Sequence, residues 1–130
     1  MANALFVGRF QPFHKGHLHA IKAAQEQYGG VTVVVGSAQE HGTGSNPIPV
    51  EQRVAMIRRE LPGIKIVTQD DVFNDKEWVR QIARKVDFDA VVTGNDWVRD
   101  CFRSQNHFVE EPEWHMPEKY NGTRIREKLL

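Results

Sequence analysis

The sequence predicts an α/β fold, doubly wound, in which a mostly parallel five-stranded sheet is flanked by helices. Short apolar runs alternate with stretches of helical periodicity, as in successive strand–helix–strand units. The run Val31–Val35 is almost wholly β-branched, which suits a strand covered on both faces. Turns rich in glycine and polar residues follow the apolar runs. Because strand–helix–strand crossovers are almost always right-handed with parallel strands, these observations favour a parallel sheet.

The first unit opens with the apolar strand Leu5–Val7, which Gly8 ends. Pro12 prevents the strand from continuing, and a helical pattern starts at about His14. Gly29-Gly30 supplies a C-terminal signal for this helix directly before the second strand.

The rest of the chain keeps the same alternation. A long polar loop over residues 36–49 follows the second strand, at the sheet edge where ligands bind in α/β proteins. The later predicted elements are a helix over 50–61, a strand over 64–67, a helix over 75–86, a strand over 90–92, a short helix after Asn95, an edge strand at 108–109 and a last helix from about Asn121. Four residues are expected to pack the short helix: Trp97, Val98, Cys101 and Phe102. The arrangement is Rossmann-like, with its site at the carboxyl edge of the strands.

Composition narrows the class of protein. The chain has 130 residues, which fits one domain over residues 1–130. Its 17 basic and 17 acidic residues balance, so no overall field favours nucleic acid as a partner. The single cysteine, Cys101, excludes an internal disulfide and a cysteine zinc site. No apolar stretch reaches the length of a membrane span and the N-terminus lacks the regions of a signal peptide, so we expect no membrane partner and a cytoplasmic location.

The turn into the first helix has the features of an anion site. The backbone N–H groups and positive dipole end of a helix N-terminus attract an anion. His14 and His17, three residues apart, share one face of the first turn. Gly16 between them lets a ligand come close to the backbone. The sequence therefore predicts a phosphate-binding site here.

The same residues carry a resemblance to a known family. His14-Lys15-Gly16-His17 resembles the H-x-G-H signature of the nucleotidylyltransferase superfamily. The longer string GRFQPFHKGH, residues 8–17, is similar to that of the archaeal-type nicotinamide mononucleotide (NMN) adenylyltransferases and is much more specific. Further stretches in the family's order extend the resemblance over nearly the whole chain: Gly36–Gln39, Trp78 after an acidic loop, Thr93–Asn95 and Gly122–Arg126, the last resembling the superfamily's second phosphate motif.

The resemblance implies a direct adenylyl transfer. The 5′-phosphate of NMN would attack the α-phosphorus of ATP in line, release pyrophosphate and give NAD without a covalent enzyme intermediate. Such chemistry depends on positioning and charge neutralisation. The residues assigned to it are His14, His17, Arg126 and Arg9. A Mg²⁺ ion bound mainly through ATP phosphates and water would complete the site, with no protein residue assigned as a metal ligand.

The resemblance also assigns residues to the two substrates, ATP and NMN. Those implied for ATP are Gly8, Phe10, Gly16, Thr93, Gly94, Asn95, Thr123 and Ile125. Those implied for NMN are Ser37, Gln39 and Trp78, with Trp78 stacking on the nicotinamide ring. For Trp78 a plain core position is about equally favoured, and Trp97 is expected in the core rather than in the site. Because the family often assembles, a homo-oligomer is a further expectation.

Two other hypotheses remain open. One keeps the chemistry but changes the acceptor to nicotinic acid mononucleotide, phosphopantetheine or FMN. The other is a nucleotide-binding regulatory protein without turnover, suggested by Asn121 where the family usually has Ser, by Ser45 where members often place a phosphate-binding Arg, and by the short stretch after Arg126. A fragment of an aminoacyl-tRNA synthetase is disfavoured by the length and the neutral charge.

Overall fold

The strand Ala2–Gly8 (β1) lies at the centre of a parallel sheet. The other strands are Gly29–Val35 (β2), Lys65–Thr68 (β3), Ala90–Val92 (β4) and Val109–Glu110 (β5). The computed structural model describes residues 2–39, 42–44 and 46–112, and within them the strand order is β3-β2-β1-β4-β5 with all four pairings parallel. The predicted five-stranded α/β fold is therefore confirmed.

The four described helices are Lys15–Tyr28 (α1), Val50–Glu60 (α2), Asp75–Lys85 (α3) and Asp96–Ser104 (α4). Three of them begin at a residue whose side chain accepts a hydrogen bond from a backbone N–H of the first turn: His14, Asn74 and Asn95. Gly29, with φ 83°, ends α1 as its sequence signal indicates. Among the described helices, none combines the length and apolar character that crossing a bilayer requires. The last helix predicted from Asn121 lies outside the described residues.

Two separate cores cover the two faces of the sheet. Along β1, Ala4 and Phe6 point into a core shared with α1 and α2, whereas Leu5 and Val7 point into a core shared with α3 and α4. Side chains alternate across a strand, so a strand buried on both faces reads as a continuous apolar run. This alternation produces the doubly wound architecture.

The strand order reverses at the centre of the sheet. From β1 the chain moves outward through β2 to β3, and then returns to the other side of β1 through β4 and β5. The helices that leave β1 and β4 therefore diverge onto opposite faces and leave a crevice at the carboxyl ends of these strands. Ligands of open α/β sheets bind in this kind of crevice.

Candidate active site

A cavity of about 590 Å³ lies at the carboxyl edge of the sheet. This volume lies within the range typical of small-molecule sites. The ends of β1, β2 and β4, the segment after β3 and the first turns of α1, α3 and α4 all contribute to its wall. The lining residues are Phe6, Val7, Gly8, Arg9, Phe10, Gln11, His17, Gly36, Ser37, Asp71, Val72, Trp78, Thr93, Gly94, Asn95, Trp97 and Val98.

The two histidines cap the helix that opens the site. Nδ1 of His14 accepts a hydrogen bond from the backbone N–H of Gly16 at 3.1 Å, and Nδ1 of His17 accepts one from the backbone N–H of His14 at 3.1 Å. A neutral imidazole whose Nδ1 accepts carries its proton on Nε2. Both rings therefore have an Nε2–H donor, fixed by backbone contacts.

Burial keeps both rings neutral. Desolvation lowers the pKa of His14 from 6.5 to about 4. Desolvation, and then the neighbouring His14, lower the pKa of His17 well below 6.5. The ring centroids are 3.7 Å apart, so two imidazolium charges would repel strongly. Near neutral pH the pair donates hydrogen bonds without carrying charge.

His14 and His17 face different spaces. His17 lines the main cavity, whereas His14 lines a smaller one of about 250 Å³ between α1 and α2, together with residues such as Lys15 and Arg59. The buried ring of Phe10 meets His17 edge-on at 4.8 Å between centroids, and Phe13 stacks on it at 5.7 Å. Aromatic contacts on two sides thus hold the imidazole of His17 in one orientation.

The other predicted residues on β1 and α1 take distinct places. Gly8, Arg9 and Phe10 line the cavity, and Phe10 has the left-handed φ of 56°. The exposed guanidinium of Arg9 donates to Oδ1 of Asn46 at 3.2 Å, in the loop between β2 and α2. Gly16 is buried in the first turn of α1 and does not line this cavity.

The residues after β4 line the cavity and lead into the N-terminus of α4, the second helix that begins beside it. Thr93, Gly94 and Asn95 all line it. The hydroxyl of Thr93 contacts the carbonyl of Val7 at 3.4 Å and accepts from the backbone N–H of Asn95 at 3.2 Å. Oδ1 of Asn95 then accepts from the backbone N–H of Val98 at 3.0 Å. This chain of contacts joins the ends of β1 and β4 to the start of α4.

The loops after β2 and β3 are joined by hydrogen bonds. The hydroxyl of Ser37 donates to Oδ2 of Asp71 at 2.8 Å, and the backbone N–H of Asp71 donates to Oε1 of Gln39 at 3.0 Å. Ser37 is buried, has a φ of 48° and lines the cavity. Gln39 is exposed and does not line it, so the structure brings only Ser37 of this pair to the cavity.

The two tryptophans at the cavity differ in exposure. Trp78 is 2% exposed and belongs to the core, yet part of it lines the cavity. The prediction that Trp97 lies in the core is wrong, because Trp97 is 43% exposed and also lines the cavity. Helical spacing places Trp97 on the same stripe as the buried Cys101, but Trp97 lies in the first turn of α4, where its side chain lines the cavity.

Two residues of this site were missed in the sequence. Asp71 lines the cavity. Arg53 joins the segment after β1 to the loop after β2, because its wholly buried guanidinium donates to the carbonyls of Arg9, Gly36 and Ser37. Arg53 occupies the apolar face of α2 with Val50 and Ile57, at i, i+3 and i+7. An arginine among such positions is a signal that could have identified it. Asp71 lies in an acidic loop with no comparable signal.

Some predicted site residues lie outside the described part of the chain. They are Thr123, Ile125 and Arg126, together with Ser45 and Asn121, the two positions that differ from the usual residues of the family.

Comparison with known proteins adds independent observations. A family described as cytidylyltransferase-like matches residues 5–128. A nicotinamide-nucleotide adenylyltransferase of Methanococcus vannielii is 36% identical over 132 residues, covering 98% of this chain and 77% of its own. Its counterpart from Ignicoccus hospitalis is 41% identical over 131 residues, covering 95% and 77%.

A solved structure is similar over the same range. It is a bifunctional NMN adenylyltransferase/ADP ribose pyrophosphatase from Francisella tularensis, complexed with AMP and a manganese ion. The similarity has a TM-score of 0.75 at 28% identity and covers 98% of this chain and 41% of the other. The chain thus spans about two fifths of that protein's length.

Proposed function

Because the chain belongs to the cytidylyltransferase-like family and, within it, to the nicotinamide-nucleotide adenylyltransferases, we propose that it transfers the adenylyl group of ATP to NMN, giving NAD and pyrophosphate. These are nucleotidyltransferases. An oxygen of the NMN 5′-phosphate attacks the α-phosphorus of ATP, and the bond from that phosphorus to the oxygen bridging to the β-phosphorus breaks. Pyrophosphate leaves with the electron pair, so the reaction needs no protein nucleophile.

The observation that carries this proposal is the tautomer of the histidine pair. In each ring Nδ1 accepts a backbone hydrogen bond, so Nε2–H is the donor. We assign the Nε2–H donor of His17, which lines the main cavity, to the α-phosphoryl oxygens of ATP, where charge builds up in the transition state. That His14 donates to the same triphosphate is proposed from the sequence motif alone, because its side chain lines the smaller cavity. Donors fixed before the substrate arrives need no reorganisation during the reaction. The N-terminus of α1 adds its backbone dipole to the same anion.

Cationic side chains would complete the phosphate site. Arg9 lines the cavity and lies within reach of a triphosphate beside His17. Its contact with Asn46 holds it at the mouth of the cavity. We further propose that Arg126 neutralises the leaving pyrophosphate, that Thr123 adds a hydroxyl to the same phosphates and that Ile125 contacts ATP. These three roles rest on the sequence motif alone.

The remaining lining residues divide between the two substrates. Thr93, Gly94 and Asn95, at the start of α4, hold the adenosine part of ATP, with Gly8, Phe10 and Gly16 shaping the phosphate turn. Ser37 lies on the NMN side, where its hydroxyl is oriented by Asp71, and Gln39 supports the same loop. Trp78 forms the wall against which the nicotinamide ring lies.

The donor set fits a divalent ion held mainly by substrate. In residues 2–39, 42–44 and 46–112 no group of three or more His, Cys, Asp or Glu side chains could hold a metal, and Asp71 is the only carboxylate among the described lining residues. Mg²⁺ favours phosphate oxygens and water, and Mg²⁺ is the ion we propose. When bound, such an ion neutralises charge on the phosphates.

The test is the formation of NAD from ATP, Mg²⁺ and NMN, followed by an NAD-specific enzymatic assay together with pyrophosphate release. We expect both products to depend on NMN and to fall sharply in His17→Ala. His19→Ala, which removes a histidine of the same helix that does not line the cavity, serves as the matched control. ATP binding without product would favour a regulatory protein. If pyrophosphate is released only with nicotinic acid mononucleotide, phosphopantetheine or FMN, the protein is a nucleotidyltransferase whose acceptor is that compound and not NMN.

A further inference from the structure

Gln69 is a buried polar residue at the start of the loop that leads from β3 to α3, residues 69–74. It is 1% exposed, although it follows an edge strand that is only half buried. Its backbone continues the pairing of β2 with β3 beyond the last strand residues. The N–H of Gln69 donates to the carbonyl of Val35 at 2.9 Å, and its carbonyl accepts from the N–H of Ala38 at 3.1 Å. The loop after β2 and the loop after β3 therefore meet at this residue.

The side-chain amide of Gln69 joins this loop to α3. Its Nε2 donates to Oε1 of Gln81 at 2.7 Å and to the carbonyl of Asp70 at 3.1 Å, and its Oε1 accepts from Nζ of Lys85 at 2.7 Å. An ammonium group can only donate, so Lys85 fixes which end of the amide is the oxygen. Nζ of Lys85 also donates to the carbonyl of Thr68 at 2.7 Å. Gln81 and Lys85 lie four residues apart on one face of α3, so the amide binds the loop to that face.

The contacts of Gln69 lie directly behind two groups of the cavity wall. Asp71, two residues after Gln69, lines the cavity, and its Oδ2 accepts from the hydroxyl of Ser37 at 2.8 Å. Ser37 precedes Ala38, whose N–H donates to Gln69. Gln69 itself does not line the cavity. Its hydrogen bonds therefore fix the backbone beside each member of the Ser37–Asp71 pair without touching a ligand.

We propose that Gln69 is a positioning residue for the acceptor, because its amide holds the loop 69–74 against α3 and so sets Ser37 and Asp71 for NMN. This inference rests on the proposed function, in which Ser37 lies on the NMN side of the cavity. Wall groups that are fixed beforehand lose less freedom when a ligand binds, which favours binding. Within the described residues, the hydrogen bonds of Gln69 reach neither His17 nor Thr93–Asn95, which are assigned to ATP. The effect should therefore fall on NMN.

The proposal predicts a change in one Michaelis constant. Gln69→Met keeps the length of the side chain and removes the amide. In this variant KM for NMN should rise about five- to tenfold, the factor that the loss of a typical hydrogen bond gives, with kcat and KM for ATP nearly unchanged.

Gln81 supplies a matched pair of variants. Gln81→Met removes the acceptor of Nε2 and should raise KM for NMN, whereas Gln81→Glu keeps an acceptor oxygen and should leave KM for NMN near the wild-type value. Because Gln81 acts through Gln69, the double variant Gln69→Met/Gln81→Met should have the KM of Gln69→Met alone. Gln27→Met is the control, since Gln27 is exposed on α1 and does not line the cavity.

The experiment measures initial rates of NAD formation over a grid of NMN and ATP concentrations in wild type and each variant, and thermal melting verifies that each variant is folded. A rise of KM for NMN alone in Gln69→Met and Gln81→Met, with recovery in Gln81→Glu, supports the proposal. An unchanged KM for NMN in these two Met variants, or equal rises of KM for both substrates, would overturn it. If Gln69→Met does not fold, the comparison of Gln81→Met with Gln81→Glu decides in the same way. Absence of NAD formation by wild type would instead overturn the proposed function.

Discussion

The backbone N–H of His14 donates to Nδ1 of His17 across 3.1 Å, so the imidazole of His17 caps the helix to which it belongs. This bond satisfies a backbone donor at the helix start and, at the same time, fixes the imidazole tautomer. Capping uses Nδ1 of His17, whereas the proposed contact with ATP uses Nε2 of the same ring. The two roles can be separated by substitution.

Replacing His17 by Asn or by Gln tests the roles of its two ring nitrogens separately. Asn places an acceptor near the position of Nδ1 but no donor near Nε2, whereas the longer Gln carries a terminal amide donor near Nε2. If His17 acts through Nε2–H, kcat should fall on the order of 10²–10³-fold in His17→Asn, the usual cost of losing a transition-state donor, and less in His17→Gln. Steady-state NAD formation measures both. If His17→Asn is as active as His17→Gln, or more active, the nitrogen that turnover requires is Nδ1 and not Nε2.

The histidine pair also predicts how stability depends on pH. The folded pKa of His14 is about 4 and that of His17 lies well below 6.5, while in the unfolded chain both titrate near 6.5. Between these values the unfolded state binds more protons than the folded state. The stability contributed by the neutral rings is therefore fully present above pH 6.5 and is lost as pH falls from 6.5 toward 4.

Urea unfolding at several pH values between 7.5 and 4.5 tests this expectation. We expect the free energy of unfolding of wild type to decline over that interval, and the decline to be shallower in a His14→Asn/His17→Asn double variant. His19→Asn controls for removing a histidine from the same helix. A double variant that declines as steeply as wild type would show that other groups cause the acid sensitivity.

The sequence predicts the fold well because the signals for it are local. The buried parts of β1, β2 and β4 are covered on both faces and so appear as short apolar runs, which only Thr32 interrupts: Ala4–Val7, Val31–Val35 and Ala90–Val92. The predicted strand over 64–67 lies one residue later, at Lys65–Thr68, since this edge strand is only half buried and its apolar pattern is weak. Predicted helix starts agree with the structure because Asn74 and Asn95 cap their own helices.

The site is predictable only where its contacts are local. The H-x-G-H turn is recognisable because its hydrogen bonds span two or three residues. Arg53 contacts the carbonyl of Arg9, 44 positions away, and Asp71 contacts Ser37, 34 positions away. Such pairs depend on strand order, which no residue pattern within a short window specifies. The exposure of Trp97 likewise depends on the cavity that distant segments of the chain form around it.

We expect stability and turnover to require glycine at position 8, because the ring of Phe10 packs against it. A Cβ at this position would lie 3.1 Å from Cζ of Phe10, close enough to displace the ring by a few tenths of an ångström. Phe10 packs edge-on against His17, so the displacement passes to the imidazole. Gly8→Ala should therefore cost about 1–2 kcal/mol of stability and lower kcat several-fold, up to about tenfold.

Thermal melting and kcat together measure the effect of the Gly8 substitution. Gly44→Ala is its control, because no described atom lies within 4 Å of the added methyl group. A Gly8→Ala protein that melts and turns over like wild type would show that Phe10 has room to move without disturbing His17.

Arg53 should be the residue on α2 whose loss costs the most stability. Its guanidinium is wholly buried and donates to the carbonyls of Gly36 at 2.9 Å, Arg9 at 3.0 Å and Ser37 at 3.0 Å. Arg53→Ala leaves these buried oxygens without their donor, and hydrogen bonds to a charged group contribute about 1.5–3 kcal/mol each. We expect the free energy of unfolding to fall by about 3 kcal/mol or more.

Arg53→Lys and Arg58→Ala make this test specific. Lys keeps the charge but lacks the planar fork that serves carbonyls of two loops, so it should recover only part of the stability. Arg58, exposed on the same helix, should change stability by less than about 0.5 kcal/mol. Because Arg53 holds the backbone of Arg9 and Ser37, the Lys variant should also raise KM for ATP and NMN. Full stability and unchanged KM values in the Lys variant would mean that charge alone, and not the fork, holds the two loops together.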